Sequence, residues 1–330
     1  MMRPPVFWQN PPDRPGLAAR LLAPLGWGYA AQTARNMAKP GYGAGIPVIC
    51  VGNLNAGGTG KTPTVIAVLD RLAARGHLAD VVSRGYGGSL AGPLRVDHGR
   101  HSAAEVGDEP LLLSSFASTW VSQDRAAGVM AAEAAGARVI VLDDGFQNPT
   151  VQKSLSLVVV DAERGFGNGR CLPAGPLREP VGAGLARADL LLSIGDAAAQ
   201  GRFRNVWGTQ ITLPHLVGRI GPLRTGMDWV GTRVVAFAGI GYPEKFFAAL
   251  SAEGATVLRA EALSDHAELP DALLHRLDAE ATSLGAQLVT TEKDATRLPA
   301  HFRSRVMTLV VRLQVEDWAG FDAHLDRLGL

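Results

Sequence analysis

The chain predicts an α/β fold, a mostly parallel sheet flanked by helices and joined to a second, smaller α/β unit. Three observations carry this. Short apolar runs alternate with helical patterns from residue 48 onward. The first run ends in a glycine-rich turn that opens directly into an amphipathic segment. Around Gly218 to Gly231 the pattern weakens, with Gly221-Pro222 and Gly226 as turn signals, and a second α/β series then begins.

Strands are expected at 48–51, 79–82, 119–121, 139–142, 155–160 and 189–194, with helices over 63–75, 109–116 and 125–135 between several of them. The second series reads as strands at 234–237, 256–259, 287–290 and 307–311, with helices over 242–251, 269–283 and 318–328. Right-handed crossovers then place the loops carrying Gly57, Ser83, Asp143 and Asp161 at the carboxyl ends of the strands, where ligands bind in such sheets. The expected division is 1–35, an N-terminal helical region, 36–225, the larger unit, and 226–330, the smaller one.

Hydrophobic residues at 47% and charged residues at 19% describe a globular chain with ample core. A net charge of +1 argues against a surface that wraps nucleic acid. Cys50 and Cys171 lack a C-x-x-C spacing and read as reduced thiols in a cytosolic compartment. The first 16 residues are rich in Pro and carry Arg3, Asp13 and Arg14, unlike a secretory signal. Leu17 to Ala31 is apolar but short and interrupted by Arg20, Pro24, Gly26 and Gly28, so it should not span a bilayer. It is either a helix packed on the protein's own core, the reading local sequence favours, or one lying on a membrane surface through Leu21, Leu22, Leu25, Trp27 and Tyr29.

The turn after the first strand, Asn55-Ala56-Gly57-Gly58-Thr59-Gly60-Lys61-Thr62, sits in the strand–loop–helix context of a phosphate-binding loop, which makes the fold P-loop NTPase-type. Glycines let backbone N–H groups converge on phosphate oxygens beside a helix N-terminus. Lys61 would reach the β- and γ-phosphates and the Thr62 hydroxyl would hold Mg²⁺. Asn55 stands where the strict motif has Gly, a substitution that a turn of positive φ tolerates. Asp143 and Asp144 end an apolar strand, the position at which such proteins bind Mg²⁺ or its water. Asp108, in Gly107-Asp108-Glu109-Pro110, is either the N-cap of the following helix or a general base; the sequence leaves these even. Further polar clusters are Ser83-Arg84-Gly85-Tyr86, Leu172 to Pro180 with Arg178 and Glu179, Ser264-Asp265-His266, and Thr290 to Asp294.

These stretches, with Leu22 to Leu25 and Leu142-Asp-Asp-Gly-Phe-Gln147, run in order from about residue 20 to 295 and together resemble the tetraacyldisaccharide 4′-kinase family of lipid A biosynthesis. The chain departs from that pattern at Asn148, where family members usually carry His. The resemblance implies ATP-dependent phosphorylation, with Mg²⁺, of the 4′-hydroxyl of an acylated disaccharide 1-phosphate to give lipid IVA. It implies a peripheral enzyme on the cytoplasmic face of a Gram-negative inner membrane, acting on a lipid substrate with no obligate protein partner and no nucleic acid. An acylated substrate shifts the N-terminal helix toward the membrane-surface reading. The resemblance likewise implies Asp108 as general base with His266 as its partner, residues 55–62 as the nucleotide loop, and Asp143, Asp144 and Glu179 at the metal. Arg84, Glu109, Arg125, Gln147 and Arg178 are then the expected substrate contacts. The alternatives are a partner-regulated ATPase switch of the related deviant-loop class, which has Lys where this chain has Ala56, and a kinase for a soluble sugar or nucleoside.

Overall fold

In the computed structural model, which describes residues 4–264 and 267–330, nine strands form one sheet and four form another. The strands are β1 (Val48–Gly52), β2 (Asp80–Ser83), β3 (Leu94–Arg95), β4 (Thr119–Val121), β5 (Ile140–Asp143), β6 (Leu155–Asp161), β7 (Leu190–Ile194), β8 (His215–Pro222), β9 (Arg233–Ala238), β10 (Thr256–Ala262), β11 (Gln287–Thr291), β12 (Val306–Leu309) and β13 (Val311–Val315). The helices are α1 (Leu17–Leu21), α2 (Ala23–Met37), α3 (Lys61–Ala74), α4 (Ala103–Val106), α5 (Asp108–Leu113), α6 (Arg125–Ala134), α7 (Val181–Leu185), α8 (Ala197–Trp207), α9 (Pro243–Ala252), α10 (Asp271–Ser283), α11 (Glu292–Ala295), α12 (Ala300–Arg303) and α13 (Ala319–Arg327).

The large sheet has the order β13-β8-β7-β6-β1-β5-β2-β4-β3. It is parallel except at its edges, where β3 runs against β4 and β13 against β8. Strands β1, β5, β6 and β7 are buried along their whole length, as expected of a parallel sheet covered on both faces. Alternation then sorts their side chains. Val48 and Cys50 join Leu142, Phe146, Phe166 and Trp207 on one face, while Ile49 and Val51 join Val65, Val68, Leu72 and Phe321 on the other. The small sheet, β10-β9-β11-β12, is wholly parallel and divides Val234 and Ala236 from Val235 and Phe237 in the same way.

The chain departs from the expected division at its end. The single strand expected at 307–311 is two strands: β12 closes the small sheet, and after Val310 the chain crosses back so that β13 pairs with β8. Helix α13 follows it, burying Phe321 and Leu325 beside α3 while Arg71 donates to Asp322. Residues 311–330 therefore build the large sheet's unit, and the expected range 226–330 is split between the two sheets. Strands β3 and β8 and helix α8 were not expected.

At the N-terminus, α1 and α2 turn their small residues inward. Ala19, Ala23 and Gly26 are buried, and a Cβ at Gly26 would lie 2.9 Å from the Cys171 carbonyl oxygen. The large apolar side chains face out: Leu17, Leu21, Leu25 and Trp27 are 61–73% exposed, with Tyr29 also exposed and Leu22 half-buried. Among the described residues no helix is long and apolar enough to cross a membrane.

Candidate active site

Strand β1 delivers the chain to the loop at Gly52, where a side chain would collide with Phe146. Buried Asn53 braces the loop from inside, its Nδ2 donating to the Gly57 carbonyl at 3.2 Å and to Thr59 Oγ1 at 3.0 Å. The outer limb is stitched to residues 165–178: Asn55 Nδ2 donates to Gly165 O, Ala56 N to Pro176 O, and Arg178 N to Leu54 O. Asn55 does not adopt the positive φ expected of it; Gly57 (φ 113°) and Gly60 (φ 92°) do, so the glycine missing from the motif is replaced by a side-chain anchor. Among the described residues nothing accepts from the N–H groups of Gly57 to Thr62. That leaves a concave row of donors at the N-terminus of α3, an arrangement suited to phosphate oxygens.

Lys61 opens α3 and points its Nζ to 3.6 Å from Asp144 Oδ2. Asp144 is the only described non-glycine residue at positive φ (54°), and Arg178 grips both its oxygens at 3.0 and 3.3 Å. Burial opposes ionisation of Asp144, but Lys61 and Arg178 outweigh it and hold the carboxyl below the usual carboxylate range. Asp143, paired in register with Val51, is 1% exposed. Burial first, then the Glu109 and Asp144 charges, push its carboxyl up to about 7. Its Oδ2 accepts from Ser83 Oγ at 3.1 Å, and its buried Oδ1 has no hydrogen-bond partner.

That orphaned oxygen and the Thr62 hydroxyl at the second position of α3 are hard donors suited to Mg²⁺. Among the described residues no group of three or more acidic, His or Cys side chains forms a metal cage. Sparse protein ligation is what Mg²⁺ accepts when it keeps waters and substrate phosphates.

Four of the expected site residues meet partners within the protein. Glu179 is 4% exposed and faces Arg187, whose Nη2 reaches its two oxygens at 2.7 and 2.6 Å. Gln147 is a strut: its Nε2 donates to Asn53 O (2.8 Å) and Glu179 (2.9 Å), and its Oε1 accepts from Arg178. Arg125 is 3% exposed and donates to the carbonyls of Ser122 and Asp143, holding the turn after β5 from beneath. Glu109 meets Lys293 of the small unit at 3.3 Å. Arg84, exposed just after β2, and Arg178 remain at the open edge. Asn148 turns its Oδ1 onto Thr150, capping its own bend.

Asp108 is not an N-cap. Gly107, with φ 90°, caps α5, and Asp108 is its first residue, 6% exposed, with Arg297 Nε at 3.4 Å from Oδ2. His266, expected beside it, lies outside the described residues. Sequence reasoning missed Arg297, Arg187 and Asn53; the i, i+3 spacing of Asp294 and Arg297 was the one available signal for the first.

The model of the family described as tetraacyldisaccharide-1-P 4′-kinase matches residues 18–329. A tetraacyldisaccharide 4′-kinase of Dinoroseobacter shibae is 64% identical over 329 residues, covering 99% of this chain and 98% of that protein. One from a Jannaschia species is 56% identical over 328 residues, 99% of each. A crystal structure of LpxK from Aquifex aeolicus in complex with ATP superposes with a TM-score of 0.75 at 25% identity, covering 94% of this chain and 99% of that one. The chain thus belongs to the tetraacyldisaccharide 4′-kinase family and is a phosphotransferase with an alcohol group as acceptor.

Proposed function

We propose that this enzyme transfers the γ-phosphoryl group of ATP to the 4′-hydroxyl of tetraacyldisaccharide 1-phosphate, giving lipid IVA and ADP. The observation that carries the proposal is the row of open N–H donors at 57–62, with Lys61 and the Asp143–Asp144 pair beside it. ATP seats its β- and γ-phosphates on that row, and Lys61 offsets charge that spreads over the transferring oxygens. Thr62 and Asp143 would hold Mg²⁺, which would supply positive charge to offset that of the phosphates. Arg178 fixes Asp144, and Asp144 in turn keeps the Lys61 ammonium over the loop.

Asp108 receives the proton of the attacking hydroxyl as the new P–O bond forms and the bond to ADP breaks. His266 is the proposed partner that orients it. Arg84, exposed at the sheet's open edge, is the side chain proposed to meet the substrate.

The outward apolar residues of α1 and α2 support a peripheral enzyme that draws an acylated substrate from a membrane surface. ATP is met on the cytoplasmic side, hence the proposed cytoplasmic face of the inner membrane.

The test follows labelled γ-phosphate into the acylated disaccharide 1-phosphate in mixed micelles. Lys61→Ala should lower turnover by about 10²–10³, as removal of one preorganised charge-stabilising donor does. Asp108→Ala and His266→Ala should lose turnover while ATP still binds. Near-normal transfer by Asp108→Ala would remove the base assignment.

A further inference from the structure

Arg297 follows α11 and is fixed from three sides within the small unit. Its Nη1 donates to Ala267 O at 2.6 Å, its Nη2 donates to Gly239 O at 3.2 Å, and it pairs with Asp294. Asp294 is 0% exposed and is held by Gly239 N (3.0 Å) and Thr291 Oγ1 (2.7 Å). Gly239 is needed for this approach, since a Cβ there would come within 2.9 Å of Arg297 Nη2. The guanidinium is thus rigid, and its side chain is 8% exposed. One donor is not used inside the unit. The buried Nε makes no hydrogen bond and lies 3.4 Å from Oδ2 of Asp108, which belongs to the large sheet's unit.

We propose that Arg297 is a positioning residue for Asp108: the small unit supplies, on docking, the cation that orients the carboxylate and balances its charge. The proposal rests on the reading of Asp108 as the general base. Among the described residues, the charged groups at Asp108 are Glu109 on its own helix and Lys293, Asp294 and Arg297 from the small unit. Because Arg297 is shared with Asp294, it balances Asp108 without extinguishing its capacity to accept a proton. A buried carboxylate deprived of that cation favours its protonated form and cannot act as a base. Since the cation comes from the other unit, Asp108 is competent only when the units are docked, which ties proton acceptance to closure over the loop at 57–62.

The experiment is the pH profile of kcat/KM for γ-phosphate transfer in mixed micelles by the full chain and three variants. In Arg297→Gln combined with Asp294→Asn, both buried charges leave together, so neither remains unpaired. Its acid limb should move up by about one pH unit or more, with kcat/KM at pH 7 reduced tenfold or more. Arg297→Lys keeps the charge but not the planar fork; its acid limb should stay at the wild-type position while kcat falls. A folded double variant whose acid limb coincides with the wild type overturns the proposal. Asp108→Asn separates the two readings. If it is inactive while the double variant keeps the wild-type limb, only the role of Arg297 fails; if it retains near-normal transfer, the base assignment itself fails.

Discussion

Buried charges around the phosphate loop are matched one by one, and the matching decides what a substitution costs. Glu179, Arg187 and Gln147 form such a set: Arg187 lies 4.4 Å over the Phe146 ring while gripping a carboxylate that is almost wholly enclosed. Arg187→Ala leaves that carboxylate uncompensated. Breaking a fully buried pair costs about 3–5 kcal/mol, and because Arg187 is a third exposed the expected loss is about 2–3 kcal/mol. A lower urea midpoint with unchanged m-value would show it. His215 behaves differently. Burial first, then Arg204, push its pKa below the ordinary histidine value, and its Nε2 lies 2.7 Å from Ser193 Oγ, which itself donates to Gln200. A depressed histidine favours the folded state in its neutral form. That contribution is complete above its unfolded pKa of about 6.5 and is lost as pH falls through the folded value. Unfolding free energy should therefore fall on acidification below about 6.5, and His215→Gln should flatten that part of the curve.

Helices α1 and α2 reverse the usual arrangement of a surface helix, with small residues against the protein and large apolar ones toward solvent. The cause is the close approach at Gly26, which leaves no room for bulk beneath the helix. Burying a leucine side chain is worth about 1.5–3 kcal/mol, so Leu21→Ser with Leu25→Ser should weaken binding to phospholipid vesicles by a hundredfold or more, about 3 kcal/mol at the least. Circular dichroism should be unchanged; vesicle binding at wild-type strength would refute the surface-lying role. The sequence displayed the apolar residues but not their direction, because direction depends on the Cys171–Ala174 loop that meets Gly26 from far along the chain. The same contrast runs through the molecule. The buried strands β1, β5, β6 and β7 were legible because a parallel strand enclosed on both faces is continuously apolar. Strand β8 was not, since Gly218, Gly221 and Pro222 dilute a segment that is only partly buried. Helix α8 escaped notice although Asp196 caps it, accepting from Ala199 N at 2.8 Å. At the site, residue types and their positions at strand ends were readable. Which carboxylates face ligand and which face an arginine was not, because Arg187 and Arg297 reach their partners only through the fold.

The two sheets are joined at opposite sides of the phosphate loop. On one side Asp108 and Glu109 meet Arg297 and Lys293; on the other Lys245 lies 2.6 Å from Asp161 and Arg164 stacks on Tyr242. The chain also returns from the small sheet to the large one, so neither unit is a simple appendage. Strand β13 completes an edge of the large sheet, and α13 seals the face beside α3. No residue assigned to the site lies beyond 310, and on site chemistry alone a chain ending at Val310 should still bind nucleotide. Packing argues otherwise. Such a truncation removes Leu313, Phe321 and Leu325, all buried, together with the acceptors of Arg71 and Arg75. At about 1.5–3 kcal/mol per apolar side chain the loss is roughly 5–9 kcal/mol, comparable with the whole stability of about 5–15 kcal/mol of a typical domain. The truncated chain should show no ATP-dependent rise in thermal midpoint, because the loop at 57–62 is held by the core that α13 closes. A truncated protein that melts cooperatively and is stabilised by ATP like the full chain would mean that the large sheet stands without its returning strand.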